Sequence, residues 1–449
     1  MRASIASLSA LVFSSLALPS AHAVAQEWTR FQNGGVGPKD GSELPVEWSA
    51  ESGVLWSVPV DGYGQSTPLV RAGRVYVTFT EGEMKDTYHV RALDLETGAT
   101  QWDHALENSS PEKNSVMVSR AAPTPVVDDA GIVAFFEGGN LVALDHEGEV
   151  RWERDLVQEF GGVKARHGLA ASLEHDGDVV YVWVEREEDP YVLAVSKDSG
   201  ETIWKTEGAG GTSWASPRLV LFAEGERHLV LSGSGRIVGL DPSSGERLWT
   251  LADVSNNTSN TPIPLGNGRF LVGASEGRGE QPAGAPKSNG VVQVAKDETG
   301  AYTAEYVWRA RRAMSSFGSP AVAGDNAYFV NRAGIVFCID LETGEQHYSE
   351  RCAESIWATP IAAAGRVYLF GKDGTTTVIK GGDTFEVLAE NTLWKEEEPE
   401  PEPGPAEGEG GRRRGNFGGP VLYAAALTKD RIVMRRGDQV YCVGATRAH

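Results

Sequence analysis

Residues 92–102 read ALDLETGATQW, and the same frame returns along the chain. It is GLDPSSGERLW at 239–249, CIDLETGEQHY at 338–348, AVSKDSGETIW at 194–204, and ALDHEGEVRW, one residue shorter, at 143–152. The shared pattern is A-x-D-x-x-T-G-x-x-x-W. Self-similarity at a fixed period marks a repeat architecture. Each position has a physical task. The residues before the aspartate are those of a strand buried on both faces. Asp94, Asp241 and Asp340 can fold back onto turn amides. Gly98, Gly245 and Gly344 supply the positive φ that closes a hairpin. The aromatic residue four positions on (Trp102, Trp249, Tyr348) can pack broadly against a neighbouring sheet.

A second signature precedes each frame: a small residue, then Ser or Thr, then Pro, then an apolar strand. It stands at Ser66-Thr67-Pro68, Ala215-Ser216-Pro217, Asn260-Thr261-Pro262, Gly318-Ser319-Pro320 and Ala358-Thr359-Pro360. Variants are Pro123-Thr124-Pro125, Gly168-Leu169-Ala170 and Gly418-Gly419-Pro420. Proline is tolerated at the first residue of a strand, where its missing N–H need not join a ladder. Each unit thus has four strands. Outer strands centre on Trp56, Trp102, Trp152, Trp204, Trp249, Trp308, Tyr348 and Leu388. The last unit has three strands before the chain ends, and the strand Val54 to Val60 has no inner strands before it. The N-terminal strand is therefore expected to complete the last unit beside Val440–Val443, which removes two sheet edges at once. The fold expected is all-β: an eight-bladed propeller of four-stranded antiparallel blades in one domain over 26–449.

The A-x-D-x-x-T-G-x-x-x-W frame resembles the tryptophan-docking motif of pyrroloquinoline-quinone (PQQ) dehydrogenases. The opening, with Trp28-Thr29-Arg30-Phe31-Gln32, Leu44-Pro45-Val46-Glu47-Trp48 and Trp56-Ser57-Val58-Pro59, is similar to that of the exported PQQ-like β-propeller repeat family. That family also resembles the outer-membrane assembly lipoprotein BamB, which uses the fold as a scaffold. The resemblance covers nearly all of the mature chain; it implies a fold and leaves the activity open. Enzymes of the PQQ class carry an adjacent Cys-Cys disulfide ring, a floor tryptophan, a Ca²⁺ held by carboxylate and amide side chains, and an aspartate base. This sequence has no adjacent cysteines and no match for the calcium or base motif.

The chain of 449 residues has a net charge of -21, which argues against a nucleic-acid or anionic-membrane surface. Arg2, the apolar stretch Ile5 to Leu18 and Ala21-His22-Ala23 read as a signal peptide over 1–25, with a second possible cut after Ala25. The apolar run is shorter than the roughly 20 residues a membrane span needs. With no cysteine after it, a lipoprotein is not expected. The mature protein is placed in the periplasm or outside the cell. Cys338, Cys352 and Cys442 are expected to be three buried thiols, since Cys338 and Cys442 fall in blades that do not touch.

Two stretches depart from the repeat. Glu276 to Asn289 is a Gly/Pro-rich insert between the second and third strands of its unit. Residues 395–415, acidic with Pro and then Arg412-Arg413-Arg414, cannot bury enough apolar surface to order and read as a loop between blades seven and eight. Gly273-Ala274-Ser275-Glu276-Gly277 matches G-x-S-x-G but lacks the strand-to-helix setting of a nucleophile elbow. Glu174-His175-Asp176-Gly177-Asp178 lacks the ligand spacing of a calcium loop and fits a turn between strands. The histidines are dispersed, with no metal-ligand spacing.

The function expected is a non-catalytic, monomeric binding or scaffold propeller of the cell envelope. It is expected to take a protein, a peptide or a small ligand at a channel mouth, with no cofactor and no nucleic acid. The alternative is a quinoprotein dehydrogenase with PQQ and Ca²⁺; a third reading is a hydrolase or lyase whose site is assembled from several blades. The residue before each small-Ser/Thr-Pro signature (Gln65, Ala122, His167, Trp214, Ser259, Phe317, Trp357, Phe417) lies where an outer strand hands over to the next inner strand. Such positions ring one mouth of the channel, and end loops of a repeat array carry binding function. Trp214, Phe317, Trp357 and Phe417 are expected to form an aromatic arc, with Arg120 and His167 on another side.

Overall fold

The computed structural model describes residues 27–35, 37, 43–113, 119–165, 167–210, 213–222, 225–233, 235–275, 288–352, 355–394 and 421–445. The signal peptide, most of the Glu276–Asn289 insert, the 395–415 loop and Phe417 lie outside the described residues.

The described strands form eight four-stranded antiparallel sheets, each running in chain order from the channel outward, save one. Blade one is Leu69–Arg71, Arg74–Glu81, Thr87–Asp94 and Thr100–Glu107. The exception is blade eight, where Leu422–Leu427, Arg431–Arg436 and Gln439–Gly444 are completed on the outside by Val54–Pro59. Val54 stands opposite Val443, Trp56 opposite Cys442 and Val58 opposite Val440. The ring is closed by its own N-terminal strand, as the strand count required. Cys338, Cys352 and Cys442 are free and buried.

The repeat frame builds the contact between blades. In blade one, the Asp94 carboxylate accepts the Thr97 amide at 2.8 Å and the Glu96 amide at 3.1 Å, which holds the hairpin shut. Gly98 then turns with φ of +73°, and a Cβ there would meet the Trp56 ring at 2.8 Å. So the indole of one blade lies flat on the bare glycine of the next. Its N–H donates to a carbonyl of that same hairpin: Trp56 to Leu95 O at 2.9 Å, Trp102 to His146 O at 2.8 Å, Trp152 to Lys197 O at 2.8 Å, Trp204 to Pro242 O at 3.0 Å and Trp308 to Leu341 O at 2.9 Å.

Three junctions differ. Tyr348 of blade six packs edge-on against Phe385 of blade seven, with ring centroids 5.5 Å apart. The Trp249 indole turns to His228 Nδ1 of its own blade at 2.9 Å, and the space before blade five is filled by Phe222 and Tyr302 packed on His228. Blade seven has no tryptophan in the frame, but Trp394, just beyond its outer strand Val387–Thr392, stacks on Tyr441 of blade eight with centroids 5.7 Å apart.

Candidate functional site

The Ser/Thr of the second signature has a task the sequence reading did not assign. Its hydroxyl accepts the backbone N–H of the equivalent residue in the preceding blade. Thr67 donates to Thr124 at 3.0 Å, Thr124 to Ser172 at 3.1 Å, Ser172 to Ser216 at 2.9 Å, Ser216 to Thr261 at 2.8 Å, Thr261 to Ser319 at 2.9 Å, and Ser319 to Thr359 at 3.1 Å. The result is a belt of hydroxyls around the channel from blade one to blade seven. The belt also corrects one register. The blade-three member is Ser172, so the residue equivalent to Gln65 is Ala170, not His167. Reading Gly168-Leu169-Ala170 as the variant signature placed that unit three residues early, because the blade has Leu173 where the others have Pro.

His167 still stands on the rim, three residues earlier in the same loop and at φ of +67°. Its ring faces that of Trp214 with centroids 6.0 Å apart. The Trp214 indole donates to Gly168 O at 3.0 Å, so this pair is tied to the loop. Phe317 and Trp357 form a second pair, 5.1 Å apart, with the Lys372 ammonium 5.3 Å from the Trp357 ring. Phe317 is 46% exposed, the most open of the rim aromatics described. Arg120 belongs to a third cluster. Its guanidinium sits 4.6 Å over the Tyr63 ring, and the Tyr63 hydroxyl bonds that of Tyr423 at 2.8 Å. Burial, and then Tyr423, push the Tyr63 hydroxyl well above its usual range, so it stays protonated. Among the described residues these side chains pair as His167–Trp214, Phe317–Trp357–Lys372 and Arg120–Tyr63–Tyr423, and Phe417, the fourth aromatic expected in the arc, lies outside them. Tyr63 and Tyr423 carried no repeat signal, being outside the Ser/Thr-Pro frame.

Inside the channel lies a feature absent from the sequence reading. The segment from Trp28 to Gln32 crosses the inner strands of successive blades. Trp28 and Val70 exchange backbone bonds at 2.9 and 2.8 Å in blade one, and Thr29 O accepts from Val127 N in blade two at 3.0 Å. Arg30 reaches the Glu174 carboxylate of blade three at 2.5 Å. In blade four, the fully buried Arg218 donates to Phe31 O at 3.2 Å, to Gln32 Oε1 at 3.0 Å and to Glu174 at 3.3 Å. Burial draws the Arg218 guanidinium down to about 10, which leaves it charged at neutral pH and balanced against Glu174. Burial, then Arg30 and Lys197, lower the neighbouring His175 to about 4, so it is neutral there. Glu174-His175-Asp176 is thus an inner strand, and its first carboxylate anchors the N-terminal segment.

Beside this segment is a small cavity of about 60 Å³. Its lining combines Trp28, Phe31, Ile263, Pro320 and Ile361 with the polar groups of Gln32, Thr67, Thr359 and Tyr423. Among the described residues, no carboxylate, lysine, arginine or cysteine lines it. Among the described residues no group of three or more His, Cys, Asp or Glu is placed to hold a metal ion. A quinone carrying carboxylates and a bound Ca²⁺ needs cationic donors on one side and oxygen anions on the other, so the residues of this cavity do not fit that group.

A family model for the outer membrane protein assembly factor BamB matches residues 36–183, 163–279 and 288–405. The outer membrane protein assembly factor BamB of Salmonella typhimurium is 24% identical over 221 residues, covering 48% of this chain and 48% of that protein. The chain spans about half the length of the curated relatives it matches. Among solved structures, BamB from Moraxella catarrhalis aligns with a TM-score of 0.58 at 15% identity, covering 88% of this chain and 98% of that one. The quinohemoprotein alcohol dehydrogenase of Comamonas testosteroni aligns at 0.61 and 14%, covering 94% and 82%. At such identities the two structures show the shared propeller and nothing of activity. The family match spans most of the chain, and with the eight blades on the page it settles the lineage: the chain belongs to the family of the outer membrane protein assembly factor BamB.

Proposed function

We propose that this protein is a non-catalytic, exported scaffold that takes part in outer-membrane protein assembly by holding a partner chain at the aromatic mouth of its channel. The family match carries the reading. The rim chemistry supports it: Phe317 and Trp357 form a partly open aromatic pair, and aromatic side chains are enriched at protein interfaces. His167, Trp214 and Arg120 flank the same mouth, and Phe417 is the blade-eight member by sequence. The described lining of the cavity, uncharged throughout, supports a binding role over a quinone-dependent one. No helix among the described residues is long and apolar enough to cross a membrane. A signal peptide over 1–25 fits delivery to the periplasm.

The test is affinity capture from an envelope extract with the wild-type protein and with Phe317→Ala/Trp357→Ala. Phe317 is the more exposed of the pair, so the double variant should keep its melting temperature. The reading expects the wild type to retain outer-membrane assembly proteins and the folded variant to lose them. Equal capture by both would remove the aromatic pair from the site.

A further inference from the structure

The mouth of the channel is divided by charge. Two loops and two turns surround Phe317 and Trp357 at the ends of blades five to seven. The loop 310–320 joins blade five to blade six and carries Arg311 and Arg312, both exposed. The turn 331–334, between the second and third strands of blade six, carries Arg332, also exposed, and its amide donates to Ser316 Oγ at 2.8 Å, beside Phe317. Arg351, at the end of the outer strand Gln346–Arg351, donates to Ala333 O of that turn. In blade seven the turn 371–374 places the Lys372 amide 2.8 Å from Ser355 O, and the ammonium 5.3 Å from the Trp357 ring. Among the described residues no ion pair reaches Arg311, Arg312 or Arg332. The one carboxylate among the described residues of these loops, Asp373, accepts from the Thr375 amide at 3.1 Å and hydroxyl at 3.2 Å. Cationic side chains thus gather around an aromatic pair, on a chain whose net charge is -21. At the same mouth, the loops of blades one and three expose Glu83, Glu112, Glu187, Glu188 and Asp189.

We infer that the basic side of this mouth binds an acidic segment of the partner chain, with its carboxylates on Arg311, Arg312 and Arg332 and an apolar side chain against Phe317. Complementary charge across an interface selects the partner and speeds its encounter, and a guanidinium can pair with a carboxylate through two parallel hydrogen bonds. The inference rests on the scaffold reading above and names the chemistry of its partner. The division of charge also sets the partner's shape. An anionic membrane lies flat across the whole mouth and meets Glu112, Glu188 and Asp189 as closely as it meets the arginines, which repels it. A single extended acidic segment engages the basic side alone.

The test uses the full mature protein and a fluorescent, end-blocked peptide of glutamates around a central leucine and phenylalanine, read by anisotropy at about 0.1 M salt, where charges interact over about 10 Å. A second peptide has glutamine in place of every glutamate. Binding of the acidic peptide should be saturable, should weaken as salt is raised, and should fall about tenfold or more for the glutamine peptide. Arg311→Glu/Arg312→Glu/Arg332→Glu changes exposed side chains that hold no ion pair among the described residues, so the variant should keep its melting temperature and bind the acidic peptide about tenfold or more weakly. Should it fail to fold, the glutamine peptide still decides. Equal affinity for both peptides, full affinity in the folded variant, or no saturable binding overturns the proposal. So does binding that emerges only once Glu396, Glu397, Glu398, Glu400 and Glu402 are changed to glutamine, which would make this chain's own acidic stretch the occupant. Capture of phosphatidylglycerol vesicles in place of the peptide overturns it as well. Partner capture by the wild type, lost in Phe317→Ala/Trp357→Ala, would in each case still uphold the scaffold reading.

Discussion

Replacing Trp56 with alanine tests ring closure and the docking of blade on blade together. The side chain is 8% exposed, lies on Gly98, and donates to Leu95 O at 2.9 Å. A tryptophan buries roughly 200 Å², and at about 25 cal/mol per Å² this is worth about 5 kcal/mol. That is an upper bound, because the unfolded chain already buries part of its surface. The hydrogen bond adds about 1 kcal/mol. Tryptophan-to-alanine changes in cores typically cost about 3 to 5 kcal/mol, so about 4 kcal/mol is expected, read from urea denaturation. Trp204→Ala, with the same docking between chain-continuous blades, should cost about as much. Only Trp56→Ala should also loosen the N-terminal strand. Cys442 stands opposite Trp56 in register, is fully buried, and has its thiol pushed up to about 12 by burial. Its labelling by a thiol reagent should speed up in Trp56→Ala and stay slow in Trp204→Ala. If Trp56→Ala shifts stability by no more than the roughly 0.5 kcal/mol of a surface change, and Cys442 stays unreactive, the closure argument is wrong.

Three further outcomes are expected. Thr124→Val keeps the shape of a belt member but leaves the buried Thr67 N–H without its acceptor, so urea denaturation should show a loss of about 1 to 3 kcal/mol; no loss would remove the belt from the account of stability. Glu185 is fully buried beneath the Trp183 indole N–H and the amides of Ala209 and Gly210, faces Arg236, and has its carboxyl raised by burial to about 7. Its folded value lies above the unfolded one of about 4.3, so its stabilisation is complete below that value and is lost as pH rises through about 7. The stability of the wild type relative to Glu185→Gln should fall by about 2 to 3 kcal/mol between about pH 5 and pH 8, and a gap that widens with pH would contradict the assignment. Incubation with PQQ and Ca²⁺, followed by desalting, should leave no bound chromophore and no alcohol-dependent dye reduction; turnover would overturn the non-catalytic reading.

The blades were legible because each hairpin repeats its chemistry locally. Asp94, Gly98 and Trp102 sit within one short stretch, so their periodic return counts the blades and locates the closing strand. The belt was half legible. The Ser/Thr before proline recurs as regularly as the tryptophan, but its partner lies about 40 to 60 residues on in the next blade. Its purpose therefore emerges only when the blades are placed side by side. The channel segment was not legible. Trp28, Arg30 and Gln32 occur once, and their partners Glu174, Arg218 and Thr359 lie in distant blades, so no periodicity marks them. Trp394 was missed for the opposite reason: it does the work of a repeat tryptophan from a place outside the frame.

The central claim is that this propeller serves outer-membrane assembly through its channel mouth. The most direct measurement is the amount of folded, heat-modifiable β-barrel protein in the outer membrane of the producing cell. Deletion of the gene should lower it, the wild-type gene should restore it, and the stably folded Phe317→Ala/Trp357→Ala variant should not. An unchanged level of folded barrels on deletion, or full restoration by the double variant, would contradict it.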